Sequence, residues 1–339
     1  MTERWAGRML SCCGLHPHGA CIVWLLIFGL ITACAQTAHA DSEPLAQPAP
    51  LAAHRLLLGG DHAEDTLMAV GQYGHILVSR DGGHDWSQAE VPTRITLTDV
   101  FMLDATRAWA VGHDATILAT TDGGRSWELQ YQDPDLDAPL LSTWFRDAEY
   151  GIAVGAYGLM LITEDGGKSW DEHPVNDEDD FHLNDLVAAD SGVLYMAAEA
   201  GVLYRSEDDG ASWEEMASPY EGSFFGILPL SGNSLLAYGL RGHLFRSEDQ
   251  GDSWDALDTG TEGILMGGLR LGPDRVVLVG LSGTVLVSDD GGSSFQLYGQ
   301  NDREALVSAL PGGGVDLITI GEFGVRRRAL DQLRAAAGS

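Results

Sequence analysis

Six aspartates recur at intervals of 41 to 43 residues: Asp81, Asp122, Asp165, Asp208, Asp249 and Asp290. Each stands in an eight-residue pattern, Ser/Thr-x-Asp-x-Gly-x-Ser/Thr-Trp, closed by Trp86, Trp127, Trp170, Trp213, Trp254 and, in the last copy, Phe295; the first copy has Asp85 where the others have Ser. Carboxylates at fixed spacing suit acid–base chemistry or calcium. Neither reading fits these. Glu207-Asp208-Asp209-Gly210 begins like a calcium loop but lacks the spaced ligands and the closing Glu that such a loop needs. A residue repeated in every unit does the same folding job each time. The aspartate is placed to accept from N–H groups farther along a tight reversal, and the glycine supplies its positive φ.

The remaining chemistry is sparse. His75, His113 and His243 share no metal-ligand spacing. Asp133, Asp135 and Asp137, with the acidic run Asn176 to Asp180, read as solvated loops rather than a calcium site. No Gly-x-Ser-x-Gly, phosphate loop or dinucleotide fingerprint occurs. The eight-residue pattern is the Asp-box, or bacterial neuraminidase repeat, which sialidases share. A sialidase also needs an arginine cluster and a Tyr/Glu pair, and the Phe/Tyr-Arg-Ile-Pro element is missing, because Arg94-Ile95 is followed by Thr96. Convergence of Arg55, Arg94, Arg107, Arg146, Arg270 and Arg275 would restore that reading, so an Asp-box glycosidase or glycan-binding propeller stays as the alternative function.

These residues need a scaffold of one supersecondary unit per repeat. A period of about 42 residues, 43 glycines and 45% hydrophobic residues specify an all-β fold, a seven-bladed β-propeller of four-stranded blades. The count of seven comes from a second signal, Gly/Ala-x-x-Gly/Ala between two apolar runs, beginning at Gly71, Gly112, Gly155, Ala198, Gly239, Gly280 and Gly321. If strands A to D run from the central channel outward, this signal turns B into C and the Asp-box turns C into D. The boxes then decorate one face. The other face carries the tips Gln72-Tyr73, His113-Asp114, Ala156-Tyr157, Glu199-Ala200, Leu240-Arg241, Leu281-Ser282 and Glu322-Phe323, with the connections Leu129 to Pro139 and Asp171 to His182. That face is the expected binding surface, with Tyr73, His113, Asp114, Tyr157, Glu199, Arg241, Glu322 and Phe323 as candidates. The three aromatic tips suit a peptide or sugar, or else cover core ends. Arg205, Arg246 and Arg328, aligned just before the box or its equivalent, form a candidate column for an acidic peptide or a salt-bridged edge.

Residues 1–40 read as a signal peptide: Arg4 and Arg8 precede the apolar run from Ala20 to Ala35, and Ala38-His39-Ala40 offers a cleavage site. Lipidation at Cys34 and an uncleaved anchor are the rival readings. Cys12, Cys13, Cys21 and Cys34 all lie there, so disulfides and thiolate metal sites are excluded from the propeller. Residues 41–53 are a linker or a closing outer strand, 54–329 the propeller and 330–339 a C-terminal tail. Blade seven lacks an Asp-box and its outer strand, which either the segment near Pro44 to Leu51 or the tail would supply. The formal charge of −31 repels nucleic acid and anionic lipid. The expected setting is the periplasm.

From Leu97-Thr98-Asp99-Val100-Phe101 through Ala108-Trp109-Ala110-Val111-Gly112 to Thr120-Thr121-Asp122-Gly123-Gly124-Arg125-Ser126-Trp127, the sequence resembles the photosystem II stability/assembly factors of cyanobacteria and plastids. The likeness runs from His54 to Arg328. It implies an exported, non-catalytic propeller, without cofactor or metal, that holds membrane-protein precursors through an arginine-bearing surface. The partner is then an envelope or membrane protein and the propeller itself a monomer.

Overall fold

The computed structural model describes residues 45–176, 180–298, 300, 302–314 and 316–330. The expected leader and its four cysteines, Pro44, the acidic residues 177–179 and the tail beyond Leu330 lie outside them. The rest is built from seven antiparallel sheets. Blade one comprises Leu57–Ala63, Thr66–Gly71, Ile76–Ser79 and Ser87–Gln88. The inner strands of the others are Leu97–Met102, Leu140–Phe145, Leu183–Ala188, Phe224–Pro229, Leu265–Arg270 and Leu306–Pro311. Six sheets have four strands and the seventh has three. The second strand of a blade, such as Val276–Gly280, is buried throughout, because a neighbouring blade covers each face and short apolar runs suit such a position.

Seven apolar clusters fill the seven seams between blades. Leu67, Leu77, Ile318 and Val325 join blade seven to blade one and close the ring. The box aromatics lie over their own turns and also reach into these seams. Trp127 packs between blades one and two, Trp170 between two and three, and Trp213, Trp254 and Phe295 between the next three pairs. Trp86 does the same between blades seven and one. The seam between blades six and seven, where no box follows, has Tyr298 and Leu330 instead.

The tip turns are one residue out of step with the sequence reading. In blade one the N–H of His75 donates to Gln72 O (3.2 Å), and the central residues are Tyr73 (φ 62°) and Gly74 (φ 69°). Positive φ at both centres is the type I′ turn that matches strand twist. A Cβ on Gly74 would also lie 2.2 Å from Thr93 O. Tyr157, Ala200, Arg241 and Ser282 take the same left-handed position. Blade seven departs: Gly321 pairs directly with Gly324, and Ile320 pairs with Val325, whereas in blade one Val70 pairs with Ile76. The third strand has slipped by one residue, which exchanges its two faces.

That slip corrects the arginine column. Arg205 pairs with Tyr195 and Arg246 with Leu236, each partner three residues before its tip Ala198 or Gly239. The residue three before Gly321 is Ile318, and its partner is Arg327, not Arg328. The N-terminal segment is also not an outer strand of blade seven. Ala46 N donates to Val91 O (3.0 Å) and Ala49 N to Gln88 Oε1 (2.9 Å), both in blade one. A one-turn helix at Ala52–His54 then leads into the first inner strand.

Candidate functional site

Three regions carry enough polar side chains to act. On the box face the repeated aspartates and the arginines aligned before the boxes are engaged. Asp122 accepts from Arg125 N (2.8 Å), Ser126 N (3.1 Å), Ser126 Oγ (2.7 Å) and Thr120 Oγ1 (2.9 Å). Burial alone would raise its pKa, but these bonds outweigh it and hold the carboxyl at about 2. Asp249 and Asp290 are likewise held at about 2, chiefly by the hydroxyls of Ser253 and Ser294. The glycine-side carbonyl one residue after each box aspartate is used too. Gly82, Gly123, Gly166, Asp209, Gln250 and Gly291 accept in turn from Arg327, Arg80, Gln130 Nε2, Tyr150 Oη, Arg205 and Arg246 of the preceding blade. The aligned arginines are therefore latches between blades. Arg205 and Arg246 are only 14% and 15% exposed, and Arg328 is engaged by Glu304, Thr319 and Gln300.

The seven inner strands surround a channel cavity of about 630 Å³, whose charged lining residues among those described are Asp61, Asp99 and Asp185. Each ties its strand to the next. Asp61 accepts from Met102 N (2.7 Å), Asp99 from Thr143 N (3.2 Å) and Asp185 from Ile227 N (3.0 Å). Desolvation, with the nearby Asp185 and Asp61 charges, raises Asp99 to about 7, and desolvation raises Asp185 to about 6. Burial also pushes Asp61 up, although its side chain keeps 31% of its surface open to channel water. The signal for two of the three was the Leu-x-Asp that opens an inner strand, at Leu97 and Leu183.

The tip face differs in having charges without partners. Tyr73, Tyr157 and Phe323 are 56%, 62% and 44% exposed. His113, Arg241 and Glu322 are exposed beside them, Asp114 sits in the left-handed region, and Glu199 faces His182 at 3.3 Å. The tips mark the middle of each blade and do not meet at the channel mouth. Between them lies a set the sequence reading missed. Three residues before the first residue of each inner strand stand His54, Arg94, Asp137, Asp180, Glu221, Glu262 and Arg303, with Arg55 next to His54. All eight are exposed.

Backbone bonds hold this register in every blade. The first tip residue donates its N–H to the carbonyl just before the inner strand, as Gln72 N to Leu56 O (3.2 Å) and Glu322 N to Ala305 O (3.0 Å) do. On its other side the connection touches the preceding tip, Thr93 O against Gly74 and Ala53 O against Gly324. Each ionisable residue thus occupies the seam between two tips. The seam positions divide into a basic arc, Arg303, His54, Arg55 and Arg94, whose tips include Phe323, Tyr73 and the oppositely charged Glu322, and an acidic arc, Asp137, Asp180, Glu221 and Glu262, whose tips include Tyr157, Glu199 and the oppositely charged Arg241. Burial, then the charge of Arg55, lowers the pKa of His75 beneath the basic arc.

The arginines weighed as a sialidase cluster do not converge. Arg55 and Arg94 lie on the tip face; Arg107, Arg146, Arg270 and Arg275 lie at the opposite end of the strands, held by Asp104, Asp147 with Asp209, Asp190 and Asp289. Among the described residues no group of three His, Cys, Asp or Glu is arranged to hold a metal ion. Asp133 instead caps the short helix Pro134–Leu136, accepting from Asp135 N.

A family model described as Photosynthesis system II assembly factor YCF48 matches residues 79–254. Photosystem II assembly protein Ycf48 of Thermosynechococcus vestitus (strain NIES-2133 / IAM M-273 / BP-1) is 40% identical over 43 residues, 13% of this chain and 12% of that protein. Among solved structures, YCF48 bound to D1 peptide superposes with a TM-score of 0.66 at 20% identity, covering 84% of this chain and 96% of that one. YCF48 from Cyanidioschyzon merolae gives 0.66 at 17% identity, covering 83% and 97%. The WD40 propeller domain of Doa1 gives 0.65 at 13% identity, covering 84% and 95%, so these superpositions establish the propeller fold and no more.

Proposed function

Since this chain belongs to the Photosynthesis system II assembly factor YCF48 family, we propose that it is an exported, non-catalytic assembly scaffold that holds an extended segment of a membrane-protein precursor on its tip face. The observation that carries the choice of face is the contrast in satisfaction. The box aspartates and latch arginines are consumed by the fold, whereas the basic arc and the exposed Tyr73 and Phe323 have no intramolecular use for most of their surface. Exposed arginine beside aromatic rings suits a peptide with carboxylate groups, because guanidinium binds carboxylate bidentately and rings add apolar contact at low entropic cost. One relative in the family was solved with a D1 peptide, which agrees with a peptide-binding role. Export is supported by the leader pattern of residues 1–40, and absence of catalysis by the dispersed arginines.

Site-specific photocrosslinking in the native host tests this reading. A photoreactive residue at Tyr73 or Phe323 is expected to capture a membrane protein, and one at Ser126 on the box face to capture none. Adducts from the box face alone, or release of fluorophore from sialosides by the purified protein, would overturn it.

A further inference from the structure

We propose that the tip face selects partner segments of segregated charge, with the acidic stretch on the basic arc and a lysine- or arginine-bearing stretch on the acidic arc. This rests on the tip-face reading above. The seven seam positions are equivalent in backbone register, yet their charges are sorted: Arg303, His54 with Arg55, and Arg94 occupy three consecutive seams, and Asp137, Asp180, Glu221 and Glu262 the other four. Both arcs are exposed, and none of these residues forms an ion pair among the described residues. A uniformly acidic segment long enough to leave the basic arc would run onto carboxylates, and like charges juxtaposed across an interface are costly. A segment whose charge changes sign where the ring does meets a complementary charge at every seam, with the tips Glu322 and Arg241 as the one opposite charge within each arc.

The aromatic tips sort in the same way. Phe323 and Tyr73 flank the seam that holds Arg55, and the Arg326 guanidinium already lies 5.6 Å from the Phe323 ring centre. Tyr157, the most exposed of the three, stands between the seams of Asp137 and Asp180. Its ring packs edge-on against His182 at 5.0 Å and leaves exposed aromatic surface in the acidic arc, where an alkylammonium or guanidinium group is favoured. The acidic arc is not a cation-binding cage, since its carboxylates are spread over four seams. Nucleic acid and anionic lipid would meet the same carboxylates and be repelled from more than half of the ring.

The test uses the full propeller and two synthetic peptides of identical composition, one with lysines in one half and aspartates in the other, one with the same charges interspersed. Fluorescence anisotropy at low salt is expected to give roughly tenfold tighter binding of the segregated peptide, a preference lost at high ionic strength. The triple variants R55Q/R94Q/R303Q and D137N/E221Q/E262Q are each expected to remove the preference while leaving the melting temperature unchanged. A photoreactive group on the lysine half is expected to crosslink to blades three to six. Equal affinity for the two peptides, or no effect of D137N/E221Q/E262Q, overturns the proposal. If the in-host adduct at Tyr73 is obtained and neither peptide binds, the charge selection falls and the scaffold reading stands; if the adduct is missing too, both fall.

Discussion

The two faces of the propeller use their repeated ionisable positions in opposite ways. Around the box face each aspartate collects up to four hydrogen bonds from its own turn, and each neighbouring carbonyl is held by the blade before it. Across the tip face seven seams, against six boxes, present His, Arg, Asp and Glu in one register, none of them in an ion pair among the described residues. Regular repetition of one residue type therefore marks what the fold consumes. Repetition of a position, with the residue type changing from blade to blade, marks what the fold leaves free for a partner. The Asp-box is conspicuous because it is structural, and the seam ring is inconspicuous because it is not.

Four measurements press on that contrast, from the largest effect to the smallest. Arg327→Ala removes the bond to Gly82 O (2.7 Å) that ties the last blade to the first, and strands its partner Asp316. A loss of about 2–3 kcal/mol is expected in denaturant unfolding. A loss no greater than that of an exposed substitution would deny the latch its role.

Asp122→Ala empties one box and is expected to cost about 1–2 kcal/mol, from the net worth of hydrogen bonds to a charged acceptor. Its carboxyl, like those of Asp249 and Asp290, sits at about 2 in the folded chain against 3.8 for the free group. The depressed pKa adds stability that is complete above the unfolded value and disappears as pH falls through the window from about 4 to about 2. Wild type should lose stability there, and the variant should lose less.

The channel reverses that sign. Asp99, raised to about 7, and Asp185, raised to about 6, are harder to ionise folded than unfolded. Stability should therefore rise as pH is lowered from 8 towards 5, over the range in which the folded carboxyls take up protons that the unfolded chain does not. Asp99→Asn keeps an acceptor for Thr143 N and should add on the order of 1 kcal/mol at pH 8 while flattening the profile. A profile unaltered by the substitution would show that channel water already solvates the charge.

The smallest effect belongs to the tip face. Tyr73→Ala and Phe323→Ala are expected to alter stability by less than about 0.5 kcal/mol, as for largely exposed side chains, while lowering partner capture. A large stability loss would mean that these rings serve the fold after all.

The architecture was legible because its signals are local. Gly-x-x-Gly gives the number of blades, and Asp-x-Gly with a closing aromatic gives the outer turn, since each feature answers to backbone geometry within a few residues. What depends on comparison across blades was harder to see. Aligning Arg328 with Arg205 and Arg246 counted back from the expected box position, whereas the ladder shifts by one at Gly324 and puts Arg327 in the equivalent place. The latch acceptors are carbonyls, which a sequence does not display. The seam ring was within reach. Counting three back from Leu97, Leu140, Leu183, Phe224, Leu265 and Leu306 gives a charged residue every time, but only knowledge of where each inner strand begins makes that count meaningful. The N-terminal segment near Pro48 was expected to supply the outer strand of blade seven, and it does not. Its contacts with Gln88 and Val91 put it along blade one rather than in a ladder on blade seven.

The missing seventh box gives the ring a direction in time. Blade seven, made last, offers blade six neither a box carbonyl to grip nor a box aromatic to pack, yet through Arg327 it grips the first-made blade. In a chain released amino end first, six blades can stack as they emerge, each catching the next. The final one is held on both sides, by Tyr298 and Leu330 in its seam with blade six and by the Arg327 latch on blade one.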